Sequence, residues 1–212
     1  MYRHCLKRFL DVLFAFACLL LLSPVYIACA IAVRVSSPGR IIFCQERLGL
    51  EGKVFRMYKF RTMQKTTEHT GSGVYSYGDD PRLTRVGRFL RKTRLDELPQ
   101  AVNVLKGDMS LIGPRPPLTY HPWHLDQYTP AQRRMFEVRP GITGWAQIHG
   151  GRSIEWHRRI EMNVWYADHV SFGLDLKIFF RTFVKMTADS EDTGGTTVAN
   201  EPPTDSGDPS AA

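Results

Sequence analysis

The sequence predicts an α+β fold, mostly helical. It has an N-terminal re-entrant membrane helix-hairpin, a small β-hairpin, and a helical domain with interfacial amphipathic helices. Three observations carry this. Val12–Val33 is an uncharged run of 22 residues interrupted at Ser23-Pro24. Two extended runs then flank the glycine-containing LGLEG, residues 48–52. Beyond them, apolar residues recur at helical spacing among many Arg and Lys.

The uncharged run is long enough to cross a bilayer, where about 20 apolar residues suffice. Three readings compete. A cleavable leader fits loosely: a basic start (Arg3, Lys7, Arg8), an apolar stretch, then Ala28-Cys29-Ala30. A single spanning helix fits by length. Both flanks are basic, however: Arg3, Lys7 and Arg8 before, and Arg34, Arg40, Arg47 and Lys53 after. Basic flanks favour the cytoplasmic side. Both can be satisfied only if the segment enters and leaves on one face. Pro24 has no amide to donate and clashes with the carbonyl four residues back, so it breaks the helix. The Ser23 hydroxyl is placed to relieve the freed backbone inside lipid. The favoured reading is therefore a shallow V of two half-helices, each about ten residues long, that does not cross.

Arg40–Glu46 and Lys53–Arg61 read as the two strands of a β-hairpin, with Gly49 and Gly52 in the turn. Lys59 and Arg61 would share one side of the second strand and Phe60 the other. Gln64–Asp80 is polar and Gly-rich and reads as a long loop. Thr84–Lys92 reads as a helix with Val86, Phe89 and Leu90 on its apolar face. A second helix follows, with Leu98, Ala101, Val102 and Leu105 inward, ending at Gly107. Pro99 is tolerated in its first turn, which puts Asp96 at or beside the N-cap and Glu97 in the first turn. Free amides and the helix dipole would keep both carboxylates ionised there, with room for a phosphate. Gly107–Pro117 is rich in turn residues, and Arg115 stands between two prolines that fix its backbone for bidentate phosphate binding. Val138–Arg152 reads as a Gly-rich loop and Ile154–Ala167 as a helix. Gly173–Met186 is amphipathic and basic, and fits a membrane-interface helix and a core helix equally well.

The formal charge is +7, but the last 24 residues hold six acids and no Lys or Arg. The preceding 188 residues therefore carry 28 basic and 15 acidic residues, about +13. A body this basic seeks anionic partners. The tail has almost no apolar content and reads as disordered. The domain division is 1–36 membrane anchor, 37–187 cytosolic domain, 188–212 acidic tail. Cys5, Cys18, Cys29 and Cys44 form no metal-spaced pair and read as reduced. His121 and His124 lack further ligands and read as ordinary histidines. No Walker, Rossmann, nucleophile-elbow or zinc signature occurs. Aromatics are not interleaved with the Arg run, so nucleic acid is not an expected partner.

The most cationic stretch, Arg82–Arg94, has six Lys or Arg and no acid, and it runs straight into Asp96-Glu97. Either the acids neutralise a solvated face, or the cations hold an anionic substrate on which the acids act. The broken SP segment, QERLG, FRMYKFRTM, DPRLTRVGRFLRKTRLDELPQ, NVLKGDMSLIGPRP, RPGITGWAQI, WYADHVSF and LDLKI stand in the order seen in bacterial sugar transferases. From about Lys7 to Lys185 the chain resembles these small monotopic polyprenyl-phosphate phosphoglycosyl transferases.

The resemblance implies transfer of a phosphosugar from a nucleotide diphosphate sugar, usually a UDP-sugar, to undecaprenyl phosphate, with release of UMP. It implies Asp96 as a covalent nucleophile that also holds Mg²⁺, with Glu97 as its partner. Lys59, Arg91, Arg115 and Asp175 are implied around the substrate, and a re-entrant helix broken at Ser23-Pro24. The implied location is the bacterial inner membrane, inserted from its inner leaflet, with the catalytic domain on the cytoplasmic face. The chain departs from the usual pattern at Arg40 and Cys44, in HGGRS (residues 149–153), and at Asn163. These departures leave the dyad intact and bear on which sugar is carried.

Overall fold

In a computed structural model, residues 2–64, 80, 82–151 and 154–188 are described. The expected Gln64–Asp80 loop, Arg152 and Ser153 of HGGRS, and the acidic tail fall largely or wholly outside these.

Two helices open the chain, α1 (Lys7–Leu21) and α2 (Ser23–Ser36), meeting at a bend of 64°. No single described helix is long and apolar enough to cross a membrane. The chemistry of the bend follows from two residues. Pro24 has no amide to offer the Leu20 carbonyl four residues back. The Ser23 hydroxyl donates to that carbonyl instead, at 2.8 Å. The arms are longer than the sequence predicts, 15 and 14 residues. Their outward faces are bare and apolar: Phe9, Phe16, Leu20 and Leu21 on α1, and Ile27, Ile31 and Val35 on α2.

The hairpin forms as expected. β1 (Ile42–Leu48) pairs antiparallel with β2 (Val54–Phe60), from Ile42 opposite Phe60 to Leu48 opposite Val54. Arg61 lies one residue past the end of β2, and its amide still donates to the Ile41 carbonyl at 2.9 Å. Its guanidinium donates to the carbonyls of Ser37 (2.6 Å) and Pro38 (2.9 Å), just past the end of α2.

α3 (Arg85–Lys92) is capped by Thr84, whose hydroxyl accepts from the Gly87 amide at 2.8 Å. Leu90 is buried as expected, but Phe89 is 60% exposed. α4 (Gln100–Lys106) begins at Pro99, and Gly107 ends it in the left-handed conformation. Its inward residues are Ala101 and Val104, while Val102 stays exposed.

Residues 107–151 carry more structure than loops. β3 (Ser110–Ile112) pairs parallel with β4 (Gly141–Thr143). Short helices α5 (Pro130–Arg133) and α6 (Trp145–Ile148) flank β4. Gly113 allows the strands to cross closely, since a Cβ there would lie 2.3 Å from the Arg139 carbonyl oxygen. α7 (Trp156–Asp168) and α8 (Phe172–Ala188) complete the fold.

α8 is amphipathic and docks on the core, as the core-helix reading expects. One face, with Ile178 and Asp175, is buried, and the opposite face leaves Leu176, Phe180, Phe183 and Val184 exposed. All four cysteines are free thiols.

The N-terminal arms are built into the cores. Ala15 of α1 packs with Met57, Ala101, Val104 and Met109. Cys29 and Val33 of α2 pack with Phe60 and Leu90. The architecture is α+β and mostly helical, with two small sheets.

Candidate active site

Strand alternation places Lys59. Phe60 points into the core beneath α2 and α3, so Lys59 points the other way. The β2 backbone is fixed by Asn103 of α4. The Tyr58 amide donates to Asn103 Oδ1 at 2.9 Å, and Asn103 Nδ2 donates to the Arg56 carbonyl at 2.7 Å. Asn103 is fully buried. Lys59 Nζ then reaches Glu97 Oε1 at 2.6 Å.

The dyad does not sit at a helix N-cap. Leu95–Glu97 is a separate 3₁₀ turn, entered through Arg94 in the left-handed region (φ 56°). The reason is Pro99: it cannot donate back to Leu95, so the chain tightens into three-residue bonds. Glu97 N donates to Arg94 O at 3.1 Å and Leu98 N to Leu95 O at 3.2 Å. The stabilising charge therefore comes from side chains rather than from a helix dipole.

Those side chains converge on Glu97. Arg115 Nη2 donates to the Oε1 that Lys59 also holds, at 3.2 Å. Burial pushes the Glu97 carboxyl upward, but Lys59 and Arg115 outweigh it and hold the group well below the usual carboxylate range. Asp96 next to it behaves oppositely. It is 8% exposed, and among the described residues no donor bonds its carboxylate. Burial raises its pKa, the Glu97 charge adds to this, and Lys59, Arg91 and Arg115 only partly offset it. Two adjacent carboxylates are thus driven apart: one fixed as an anion, one more basic and uncommitted.

Arg91 is set by its own contact. Its Nε donates to Thr62 Oγ1 at 2.9 Å. α3 approaches Thr62 closely enough for this because residue 87 is glycine. A Cβ there would lie 2.0 Å from the Thr62 carbonyl oxygen. Beside it, Arg82 grips buried Asp80 through Nε (2.9 Å) and Nη2 (2.6 Å).

The structure thus gathers Lys59, Arg91, Asp96, Glu97 and Arg115 in one place. Asp175 is engaged differently. It is buried in α8 and accepts from Tyr2 Oη (2.6 Å), Lys7 Nζ (2.7 Å) and Tyr166 Oη (2.7 Å). Ser23 and Pro24 lie at the bend. Sequence reasoning missed Thr62, Asn103 and Tyr166. For Asn103 a signal existed: an amide between Val102 and Val104 in an amphipathic helix.

No group of three or more His, Cys, Asp or Glu gathers among the described residues. Mg²⁺ does not require one, since it is commonly held by one or two carboxylates, waters and substrate phosphates. The carboxylate of Asp96, which no donor among the described residues bonds, is a ligand of that kind, so the residues fit the ion. Glu97 is already occupied by two cations.

The site is a paired carboxylate among fixed cations, an arrangement chemically suited to phosphate-bearing molecules. The chain belongs to the bacterial sugar transferase family, whose model matches residues 2–189, and it is a transferase. It is 46% identical over 181 residues to an uncharacterized sugar transferase, EpsL, of Bacillus subtilis, covering 85% of this chain and 87% of that one. It is 44% identical to the UDP-glucose:undecaprenyl-phosphate glucose-1-phosphate transferase of Escherichia coli, covering 85% of this chain and 40% of the relative. It is 42% identical to the UDP-N-acetylgalactosamine-undecaprenyl-phosphate N-acetylgalactosaminephosphotransferase of Aeromonas hydrophila, covering 84% and 42%. The chain spans about two fifths of those last two proteins.

Proposed function

We propose that this chain transfers a sugar phosphate from a UDP-sugar to undecaprenyl phosphate and releases UMP. The observation that carries the proposal is the split dyad: Glu97 held between Lys59 and Arg115, and Asp96 buried beside it with no bonded donor among the described residues. The names of the relatives support the substrate classes.

In the proposed sequence, an Asp96 carboxylate oxygen attacks the β-phosphorus of the donor. The bond to the bridging oxygen breaks, and UMP leaves with the electron pair. An oxygen of the lipid phosphate then attacks the phosphorus. The bond to Asp96 breaks and the carboxylate returns. Two steps let donor and acceptor use one site in turn. Phosphoryl transfer needs positioning and charge neutralisation more than acid–base strength. Lys59, Arg91 and Arg115 supply fixed positive charge for this. Asp96 is the residue that would hold Mg²⁺, which when bound neutralises further diphosphate charge.

The anchor fits a re-entrant insertion. Each arm is about 22 Å long at the helical rise, so a V bent this far reaches about 12 Å deep. That is less than one leaflet of a hydrocarbon core about 30 Å thick. With both ends basic, the protein sits on the cytoplasmic face of the bacterial inner membrane. The product would be the first lipid-linked sugar of an exopolysaccharide, capsule, O-antigen or glycoprotein glycan.

The test is a panel of UDP-sugars offered to the protein in nanodiscs with undecaprenyl phosphate and Mg²⁺, measuring UMP. The expected result is release from one or two donors, lost without Mg²⁺ and lost in Asp96→Asn. Mass spectrometry should find the sugar phosphate on Asp96 when the lipid is withheld. UMP release that persists in Asp96→Asn would overturn the nucleophile assignment.

A further inference from the structure

Asp175 is a buried carboxylate that the dyad's chemistry does not use. Its Oδ2 accepts from Tyr2 Oη at 2.6 Å and from Lys7 Nζ at 2.7 Å. Its Oδ1 accepts from Tyr166 Oη at 2.7 Å. Both oxygens are thus bonded by protein groups, and the side chain is 6% exposed. A phosphate has little reason to approach an anion so enclosed.

The network leads somewhere specific. Tyr166 Oη lies 3.1 Å from the carbonyl oxygen of Ile112 as well as 2.7 Å from Asp175. A single hydroxyl proton serves both acceptors. One residue earlier, the Leu111 amide donates at 3.0 Å to Oδ1 of Asp11, a buried carboxylate on α1 that accepts the bond. β3 is therefore held on two consecutive residues, one through Tyr166 and one directly by the anchor helix. Ile112 stands three residues before Arg115. The chain between them is itself fixed: Gly113 N donates to Thr143 O at 2.9 Å, and Pro114 O accepts from Gly141 N at 2.9 Å. α1 grips a second part of the site scaffold. Arg8 donates to the carbonyls of Val104 (2.7 Å) and Leu105 (3.1 Å), at the end of the helix that follows the dyad.

We propose that Asp175 is a positioning residue: with Lys7, Tyr2, Tyr166 and Asp11 it locks the first anchor helix to β3 and so sets Arg115 against Glu97. The polar face of α1 is then part of the active-site scaffold as well as a membrane device. This rests on the proposed reaction for its kinetic consequence only. Lys59 and Arg91 would still bind donor when the lock is broken, but Arg115 would no longer meet the transition state in register. Misplacement of about 1 Å can cost up to about a hundredfold in rate.

The experiment uses the full chain in nanodiscs of phosphatidylethanolamine and phosphatidylglycerol. Tyr166→Phe keeps the ring and its packing and removes only the hydroxyl. Asp175→Asn and Lys7→Met are made beside it, singly and together. The expected result is a kcat lowered about tenfold or more in Tyr166→Phe and Asp175→Asn, with donor KM within about twofold. Lys7→Met added to Asp175→Asn should bring little further loss, as for residues acting as one unit. Amide exchange at Leu111 and Gly113 should quicken in the same variants. A donor KM that rises while kcat holds would make Asp175 a substrate ligand and overturn the proposal. Faster exchange with kcat unchanged would reduce the network to plain anchoring, and unchanged exchange would remove the lock itself. If the unsubstituted protein releases no UMP from any donor, the proposed reaction fails, and the exchange measurements still decide the lock.

Discussion

Adjacent carboxylates at 96 and 97 meet opposite surroundings, and this separates what each contributes. Glu97 has a folded pKa below its ordinary value, so its stabilising effect is present at neutral pH. That effect is lost only as pH falls below the usual carboxylate range. Asp96 has a folded pKa above its ordinary value, so its ionisation opposes folding at neutral pH and is relieved as pH falls. Asp96→Asn should therefore abolish turnover while leaving the melting temperature unchanged or raised. A clear fall in melting temperature would contradict the raised pKa. The acid limb of the rate profile should follow Asp96, with activity falling as pH descends through a value above that of a free aspartate. A limb at or below the ordinary value would assign it to another group. The dyad was legible in sequence because it ends a run of six cations. Tyr166 was not, because its partner Ile112 is 54 residues away and nothing local marks it; Asn103 carried a mark, an amide between two valines, but its partner Tyr58 is 45 residues away.

α3 and Thr62 show how little space an element has. Gly87→Ala would drive a methyl into the Thr62 carbonyl and push the helix outward, taking Arg91 with it. Overpacking of this kind costs about 1–3 kcal/mol, so both stability and donor binding should drop. Gly173→Ala is the comparison. It lies in α8 with nothing within 4 Å of the added methyl, so it should be neutral or stabilise by up to about 1 kcal/mol. Equal melting shifts in the two variants would remove the steric argument. The β-hairpin and the Ser23-Pro24 break were read correctly because turn glycines and proline act locally. β3 and β4 went unread. Three-residue strands offer no alternation, and their pairing depends on the close approach at Gly113 and Gly141.

Across the whole molecule, the boundary at residue 36 does not separate one core from another. Removing residues 1–36 would uncover Met57, Val104, Met109, Phe60 and Leu90 and strip β3 of Asp11. Such a fragment should fail to give a cooperative thermal transition, and a sharp transition near that of the full chain would disprove the shared core. The second arm holds the dyad region too, since the Tyr26 hydroxyl donates to the Leu98 carbonyl, one residue past Glu97. Sequence showed the V but not these attachments, because a helix read alone gives no account of what its polar face meets. The bend has one more consequence, on the re-entrant reading. A wedge confined to one leaflet adds area to that sheet of lipid and none to the other. Relief of this imbalance comes from curvature, so the protein should partition more strongly into small vesicles than into flat ones of the same composition.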